Sequence, residues 1–182
     1  MYVWLRLARM MATTKSRGSY VPGGESRLSL RCLPTDIDFN LHLNNARYLM
    51  LADLGRLDIF MRSGLFALMR RNGWAPMLGG VQAVFVREIR LWQSFEVVST
   101  IIETWEGTQA VGRHAFVHEN GETAALVLTT AGVYDRSARR FVGMDEIFGA
   151  LGFEVASREP SETERIFMES HTGLRKLARE SG

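Results

Sequence analysis

The chain carries an unusual run of polar side chains in the stretch Asp36-Ile37-Asp38-Phe39-Asn40-Leu41-His42-Leu43-Asn44-Asn45-Ala46-Arg47-Tyr48. Six of its carboxylate, amide or imidazole side chains fall within ten residues. The start of a helix needs only one capping residue, and either Asn44 or Asn45 can supply it. The remaining polar groups need another explanation, and a functional site provides one.

A long helix is predicted directly after this run, over Asn44 to about Arg62. Its larger apolar face has helical spacing and consists of Ala46, Leu49, Met50, Leu54, Leu57 and Met61. A smaller apolar face consists of Tyr48, Ala52, Gly55 and Ile59. A helix that is apolar on two sides is usually buried, and its small residues are where a sheet can approach closely.

Strands are predicted on both sides of this helix. One strand, Arg27–Leu33, precedes the polar run and ends at Pro34. Four strands rich in Val, Ile, Thr and aromatic residues follow it, namely Val84–Trp92, Phe95–Trp105, Ala110–His118 and Thr123–Tyr134. Their short connections indicate antiparallel neighbours. Short and terminal helices are also predicted, over Gly64–Arg71 and from the capping box at Ser161 through Arg179.

The fold class that follows is α+β, a hotdog fold in which a curved antiparallel sheet is wrapped around one long buried helix. Three parts are predicted: a leader and linker over residues 1–26, the hotdog domain over 27–152, and a helical tail over 153–182. A curled sheet leaves an edge strand to protect, and hotdog proteins do this by pairing subunits. We therefore expect a homodimer or a dimer of dimers.

The spacing Asp-x-Asp-x-x-x-His-x-Asn-Asn-x-x-Tyr strongly resembles the signature of hotdog thioesterases of the 4-hydroxybenzoyl-CoA thioesterase superfamily. Its inner pattern, Asp38-x-Asn40-x-His42, is similar to the catalytic stretch of plant acyl-acyl-carrier-protein thioesterases. The longer run from Leu33 to Leu49 is similar to a branch found in bacteria and animals, whose members often carry a short hydrophobic leader. The resemblance covers roughly residues 28–134.

This resemblance implies hydrolysis of an acyl-CoA or acyl-carrier-protein thioester, without a metal or an organic cofactor. Asp38 would act as general base toward water or as direct nucleophile, and the sequence leaves both schemes open. Asn40 would orient the water or the carboxylate. His42 would hold or relay a proton, because its side chain titrates near neutral pH.

Asn45 and Tyr48, at the start of the helix, are the candidates for substrate binding. Free backbone N–H groups around Asn45 and Ala46 would polarise the thioester carbonyl, aided by the helix dipole. Tyr48 also has a simpler interpretation as a packing residue. Structural roles are expected for Asp36, in a turn or strand end, and for Asn44 with Asn45, as cap and backbone clamp.

Glu88 lies roughly where the plant enzymes place a Glu-Cys pair on a later strand. The cysteine is absent here, and the spacing needs a shift of one residue. The flanking Arg87 and Arg90 favour a simpler interpretation, an exposed ion pair.

The other reactive side chains have structural interpretations. Cys32 is predicted to be a buried core residue. His114 and His118 are four residues apart on a strand, about 13 Å, which is too far for both to bind one metal ion. No metal site is therefore predicted, and His171 is expected to be exposed in the tail. The sequence has no glycine loop of the phosphate-binding types.

The charge is distributed unevenly along the chain. The first 20 residues contain four basic residues and no acid, so the rest carries 18 bases against 20 acids. This mildly acidic body argues against a broad nucleic-acid surface. With one cysteine the chain can form no internal disulfide, which fits a reducing compartment such as the cytoplasm.

The leader, residues 1–12, is apolar but interrupted by Arg6 and Arg9. It is too short to span a bilayer and lacks the apolar core of a signal peptide. It could lie weakly on a membrane surface as a helix, with Trp4, Leu5 and Met11 in the lipid. Alternatively, it packs on its own domain or on a partner subunit.

The leading interpretation is therefore a thioesterase that takes a medium or long acyl chain, or an aryl-acyl group, in a pocket between subunits. The alternative is a hotdog protein that binds acyl thioesters without turnover, at a membrane surface or elsewhere. A hydratase is less consistent with the sequence, because the Gly-His-Phe-Pro motif typical of that class is absent.

Overall fold

The computed structural model describes residues 4–105, 107–153 and 160–181, with the side chains of 102–105 left out. The elements follow one another as α1 (Trp4–Ala12), β1 (Ser26–Arg31), α2 (Asn45–Arg62), α3 (Leu65–Asn72), β2 (Trp74–Phe85), β3 (Ser94–Trp105), β4 (Gln109–His118), β5 (Thr123–Asp135), β6 (Arg140–Phe141), α4 (Met144–Leu151) and α5 (Glu162–Glu180).

The sheet has the strand order β1-β3-β4-β5-β2, and the short strand β6 pairs with β5. Every neighbouring pair is antiparallel. The sheet curls around α2, so the predicted α+β architecture of a curved antiparallel sheet and one long buried helix is confirmed. Strand β2 lies at one edge of this sheet, and β1 lies at the other.

Helix α2 begins within one residue of its predicted start, and the smaller of its two predicted apolar faces is the one that is fully buried. The buried residues are Tyr48, Leu51, Ala52, Leu54, Gly55, Asp58, Ile59 and Phe60. The larger predicted face is only partly covered, and Leu49 keeps 39% of its surface exposed. The face that contacts the sheet is the one whose small residues, Ala52 and Gly55, permit the closest approach.

Gly55 sits directly against β3. A Cβ atom at this position would lie 2.0 Å from the Ser99 hydroxyl oxygen, which is far inside van der Waals contact. That hydroxyl is 2.8 Å from Nδ1 of the fully buried His114, whose Nε2 lies 3.4 Å from the Thr129 hydroxyl. Burial lowers the pKa of His114 to about 3, with a smaller contribution from the charge of Arg56. The imidazole is thus neutral beneath the helix at physiological pH.

The strand boundaries agree with the predictions except at β2. The prediction of a strand over Val84–Trp92 is wrong, because β2 runs from Trp74 to Phe85 and residues 86–93 form a loop. Pro76 and the glycines 79 and 80 weaken the strand pattern in the sequence. They are accommodated because β2 is an edge strand with an irregularity at this point.

The terminal helix α5 begins with the predicted capping box between Ser161 and Glu164. The prediction that His171 is exposed is wrong. The imidazole packs on the glycines of β2, where a Cβ at Gly80 would lie 2.4 Å from its Nδ1. Helix α4 is an element that the sequence patterns did not predict.

Residues 4–12 of the leader form helix α1, which packs on its own chain. Met10 is buried in the main core together with Leu43 and Tyr48. Two outward side chains, Trp4 and Leu5, keep 65% and 87% of their surface exposed. No helix within the described residues is long and apolar enough to cross a membrane.

Candidate active site

The polar run folds into a tight turn between β1 and α2. Its two arms meet through a backbone N–H of Asp38 that donates to the carbonyl oxygen of His42 at 3.0 Å. Leu41 completes the turn with a left-handed φ of 61° and an N–H that donates to the Asp38 carbonyl oxygen. The alternate polar side chains of the run are therefore held on a short, closed loop.

The Asp38 carboxylate is held by its own turn. Its Oδ1 accepts a hydrogen bond from the Asn40 N–H at 2.9 Å, so it forms an Asx turn. Asp38 is half-buried and Asn40 is exposed. Among the described residues no hydrogen bond is made to the second oxygen, Oδ2, which leaves one carboxylate oxygen of Asp38 unbonded within the chain.

His42 pairs with Glu88, which lies on the loop after β2. Its Nε2 is 2.6 Å from Oε2 of Glu88, and both side chains are more than one third exposed. The backbone of this loop reaches the same turn, because the Leu43 N–H donates to the Ile89 carbonyl oxygen at 2.8 Å. The pair gives the histidine a fixed orientation and an acidic partner, as in many acid–base pairs.

Glu88 also forms the ion pair with Arg90 that the sequence suggested. Arg87 does not join it and pairs with Glu122 at 3.2 Å instead. The contact between Glu88 and His42 was not predicted. The sequence contains one indication of a role for Glu88, which is that it lies roughly where the plant thioesterases place their Glu-Cys pair.

Asn44 is the N-cap of α2, as predicted for this pair of asparagines. Its side-chain oxygen accepts the Ala46 N–H at 2.9 Å, so this N–H is not free to polarise a carbonyl. The Arg47 N–H donates to the Asn44 carbonyl oxygen. No described residue accepts the N–H of Asn45, the exposed first residue of the helix, which keeps Asn45 as the candidate donor.

Tyr48 points into the core. It is 3% exposed, and its ring makes edge contacts with Phe85 and Phe116 at centroid distances of 4.9 and 4.8 Å. Burial raises the pKa of its hydroxyl to about 12. This position fits the packing interpretation of Tyr48.

Cys32 is fully buried, as predicted, and burial raises the pKa of its thiol to about 11, with a further contribution from Asp36. The thiol is therefore protonated at neutral pH and a poor nucleophile. Within the described part of the chain, no group of three or more His, Cys, Asp or Glu side chains could hold a metal ion.

An apolar cavity lies away from this turn. It is at the far end of α2 and is lined by residues such as Ile59, Phe60, Ile147 and Phe148. Fourteen residues of helix separate Ile59 from Asn45, which corresponds to about 20 Å. Apolar side chains near the turn are instead exposed, including Phe39 at 92% and Leu41 at 63%.

The fold and the site together define a class of protein, the hotdog thioesterase-like proteins. Residues 32–151 match the family described as the thioesterase-like superfamily, and the chain belongs to that family. The YbaW probable thioesterase from Escherichia coli has a similar structure, with a TM-score of 0.63 and 20% identity over 69% of this chain and 95% of that one.

Two further similarities are informative. Protein THEM6 of Xenopus laevis is 35% identical over 53% of this chain and 46% of its own length, so this chain spans about half of that relative. The protein SAV2348 of Staphylococcus aureus, solved in complex with CoA, has a TM-score of 0.61 and 13% identity over 79% of this chain and 94% of that one. At this identity the structural match shows the fold alone.

Proposed function

We propose that the chain hydrolyses acyl thioesters at the turn between β1 and α2. The observation that carries the proposal is the Asp38 carboxylate, which is fixed by the Asn40 N–H beside a capped helix start. Membership of the thioesterase-like superfamily supports the same reaction. The finer roles rest on the geometry of the turn.

In the reaction, water and the thioester give a carboxylic acid and a free thiol. As general base, Asp38 takes a proton from the water that attacks the carbonyl carbon. As nucleophile, Asp38 attacks directly, releases the thiolate and forms a mixed anhydride that water then cleaves. In either scheme the leaving thiolate receives a proton, which His42 would relay.

The oxygen of the tetrahedral intermediate gains negative charge and needs a donor. The N–H of Asn45 and the positive end of the α2 dipole would stabilise this charge. Asn40 is exposed on the same turn and would orient the attacking water. Tyr48 would act indirectly, because its buried ring packs the first turn of α2 against the sheet.

The proposed substrate is an acyl-CoA or an acyl-acyl-carrier protein with a medium, long or aryl-acyl group. The CoA bound to SAV2348 supports CoA as the carrier. We propose that a second copy of the chain completes the acyl pocket, because a single chain leaves Phe39 and Leu41 exposed beside the turn.

The experiment that tests this function is a panel of acyl-CoA and acyl-carrier-protein thioesters of different chain length, with detection of the free thiol. We expect thiol release from at least one member at a rate well above the uncatalysed rate. Release from none of them, by protein shown to be folded, would refute the hydrolase.

A second candidate is an acyl-thioester-binding protein without turnover. It is favoured by the cap of Asn44, which occupies the Ala46 N–H and leaves fewer donors for an oxyanion. Saturable binding of a non-hydrolysable acyl-CoA analogue, together with no thiol release in the panel, would support this alternative.

We also propose a weak contact of α1 with anionic membrane surfaces. Its exposed Trp4 and Leu5 lie on the same short helix as the exposed Arg9, and Lys15 follows in the next turn. Replacing Trp4 and Leu5 with Ser should lower binding to anionic liposomes. These substitutions are better suited than deletion of the leader, because deletion would also remove the buried Met10 and the paired Arg6.

A further inference from the structure

Arg6 of helix α1 reaches from the leader to the start of the active-site turn. Its two terminal nitrogens lie 2.6 and 3.1 Å from the two carboxylate oxygens of Asp36. One of them also donates to the Arg31 carbonyl oxygen at the end of β1. The pair is bidentate and largely removed from water, since the side chains of Arg6 and Asp36 are 12% and 3% exposed.

Asp36 is hydrogen-bonded to residues at both ends of this turn. Its carboxylate accepts the Leu33 N–H at 2.9 Å, and its carbonyl oxygen accepts the Asn44 N–H at 2.8 Å. Asn44 is the cap of α2, and Asp38 is two residues beyond Asp36. Asp36 thus holds the segment after β1 through its carboxylate and the start of α2 through its backbone carbonyl oxygen.

We propose that Arg6 is a positioning residue, which fixes the turn carrying Asp38 and His42 by holding Asp36. This inference rests on the proposed thioesterase function for its effect on rate, but not for its effect on the turn. Through Arg6, the leader would therefore help to position the proposed site of its own chain. Arg6 does not touch the reacting atoms and acts through Asp36, with a further contact to the Arg31 carbonyl oxygen at the end of β1.

Loss of Arg6 would leave Asp36 buried with a weaker set of partners. The next cation is Arg47, whose Nε is 3.8 Å from Oδ1 of Asp36. A buried carboxylate that loses its main partner draws in water or shifts, and the turn shifts with it. Since catalysis depends on sub-ångström placement, the rate of the chemical step is affected more than substrate binding.

We expect helix α1 to stay docked when Arg6 is replaced. Met10 is buried in the core, and Arg17 binds the fully buried Asp58 at 2.6 Å. Substitution of Arg6 therefore tests the turn rather than the docking of α1. The exposed Arg9, in the next turn of the same helix, offers a matched control.

The kinetic test compares Arg6→Gln, Arg6→Lys and Arg9→Gln in the full chain with a thioester that the wild type cleaves. Arg6→Gln should lower kcat by about tenfold or more, with KM changed less than about threefold. Arg6→Lys keeps the charge but not the bidentate geometry and should restore part of the loss. Arg9→Gln should match the wild type. Wild-type kcat in Arg6→Gln would overturn the proposal.

A second measurement does not depend on activity. Amide hydrogen exchange at Leu33 and Asn44, the two N–H groups bonded to Asp36, should be faster in Arg6→Gln, while exchange at Phe116 within β4 stays unchanged. Unchanged protection at Leu33 and Asn44 would overturn the positioning role. If the wild-type chain releases no thiol at all, the thioesterase function fails, and the exchange result alone decides the positioning role.

Discussion

Asp38 and His42 are four residues apart in one turn, but different parts of the chain hold them. Asp38 is fixed locally, by an N–H two residues further on. His42 is fixed by Glu88, which is 46 residues away on the loop after β2. The contact that fixes Asp38 can be predicted from a short stretch of sequence, whereas the contact that fixes His42 forms only after the sheet has folded.

This difference explains which site residues the sequence could predict. Asp38, Asn40, His42 and the Asn44 cap follow from one local pattern, and the structure places them on one turn. Glu88 was tied to Arg90 because the two are neighbours in sequence. Its contact with His42 depends on a loop without periodicity, so no local pattern could reveal it. The catalytic roles themselves remain predictions.

The first residue-level prediction concerns the pair of His42 and Glu88. Glu88→Gln keeps an oxygen acceptor near His42 but removes the charge that orients and stabilises a protonated imidazole. We expect kcat to fall about tenfold, equivalent to about 1.4 kcal/mol, with little change in folding. Glu122→Gln is the control, since Glu122 is an exposed carboxylate that pairs with Arg87 and does not contact His42. An unchanged kcat in Glu88→Gln would exclude the pair from the reaction.

At the level of elements, the long helix and the antiparallel strands β3, β4 and β5 were predicted closely. Their signals are strong because each has a regular apolar period and clear turn residues at its ends. Strand β2 was misplaced, since Pro76 and two glycines interrupt its pattern. Of the two apolar faces predicted for α2, the smaller one is fully buried and the larger one only partly, because the small residues of the first let the sheet approach more closely.

Gly55→Ala tests that close approach. In an open helix this change is stabilising by roughly 0.5–1 kcal/mol, but here the added Cβ would collide with Ser99. We expect a loss of about 1–3 kcal/mol in the free energy of unfolding, measured by urea denaturation. Gly173→Ala in α5, where a Cβ meets nothing within 4 Å, should be neutral or stabilising. Equal effects at the two sites would contradict the packing described.

His114 provides a prediction about pH. Burial holds its pKa at about 3 in the folded chain, against an ordinary value of 6.5. Between these values the unfolded chain binds a proton that the folded chain does not, so stability falls as pH decreases from about 6.5 toward 3. One such proton contributes a slope of about 1.4 kcal/mol per pH unit. His114→Gln should lose this contribution in denaturation curves, and an unaltered slope would refute it.

At the level of the whole molecule, the outer edge of β2 pairs with no strand among the described residues. This strand has 12 residues, and Leu78, Val84 and Phe85 keep 52%, 55% and 45% of their surface exposed. An apolar, unpaired edge invites pairing with another strand. A homodimer joined through β2 would cover this edge and bring a second chain beside the active-site turn.

The dimer is tested by Val84→Lys, which places a charge on the edge of β2. We expect the variant to shift from dimer to monomer in light scattering coupled to size-exclusion chromatography. Ile166→Lys removes an equally exposed apolar side chain on α5 and should leave the dimer intact. A wild-type chain that is monomeric at high concentration would contradict the proposed subunit pairing.

Whether the Asp38 carboxylate performs thioester hydrolysis is decided by the substitution Asp38→Asn. Asparagine keeps the side-chain oxygen that accepts the Asn40 N–H, so the turn is preserved while the charge is lost. Glu122→Gln is the control for loss of an exposed carboxylate. We predict that Asp38→Asn lowers kcat/KM by at least about 100-fold and that Glu122→Gln does not. Wild-type thiol release by folded Asp38→Asn would exclude the Asp38 carboxylate from the reaction.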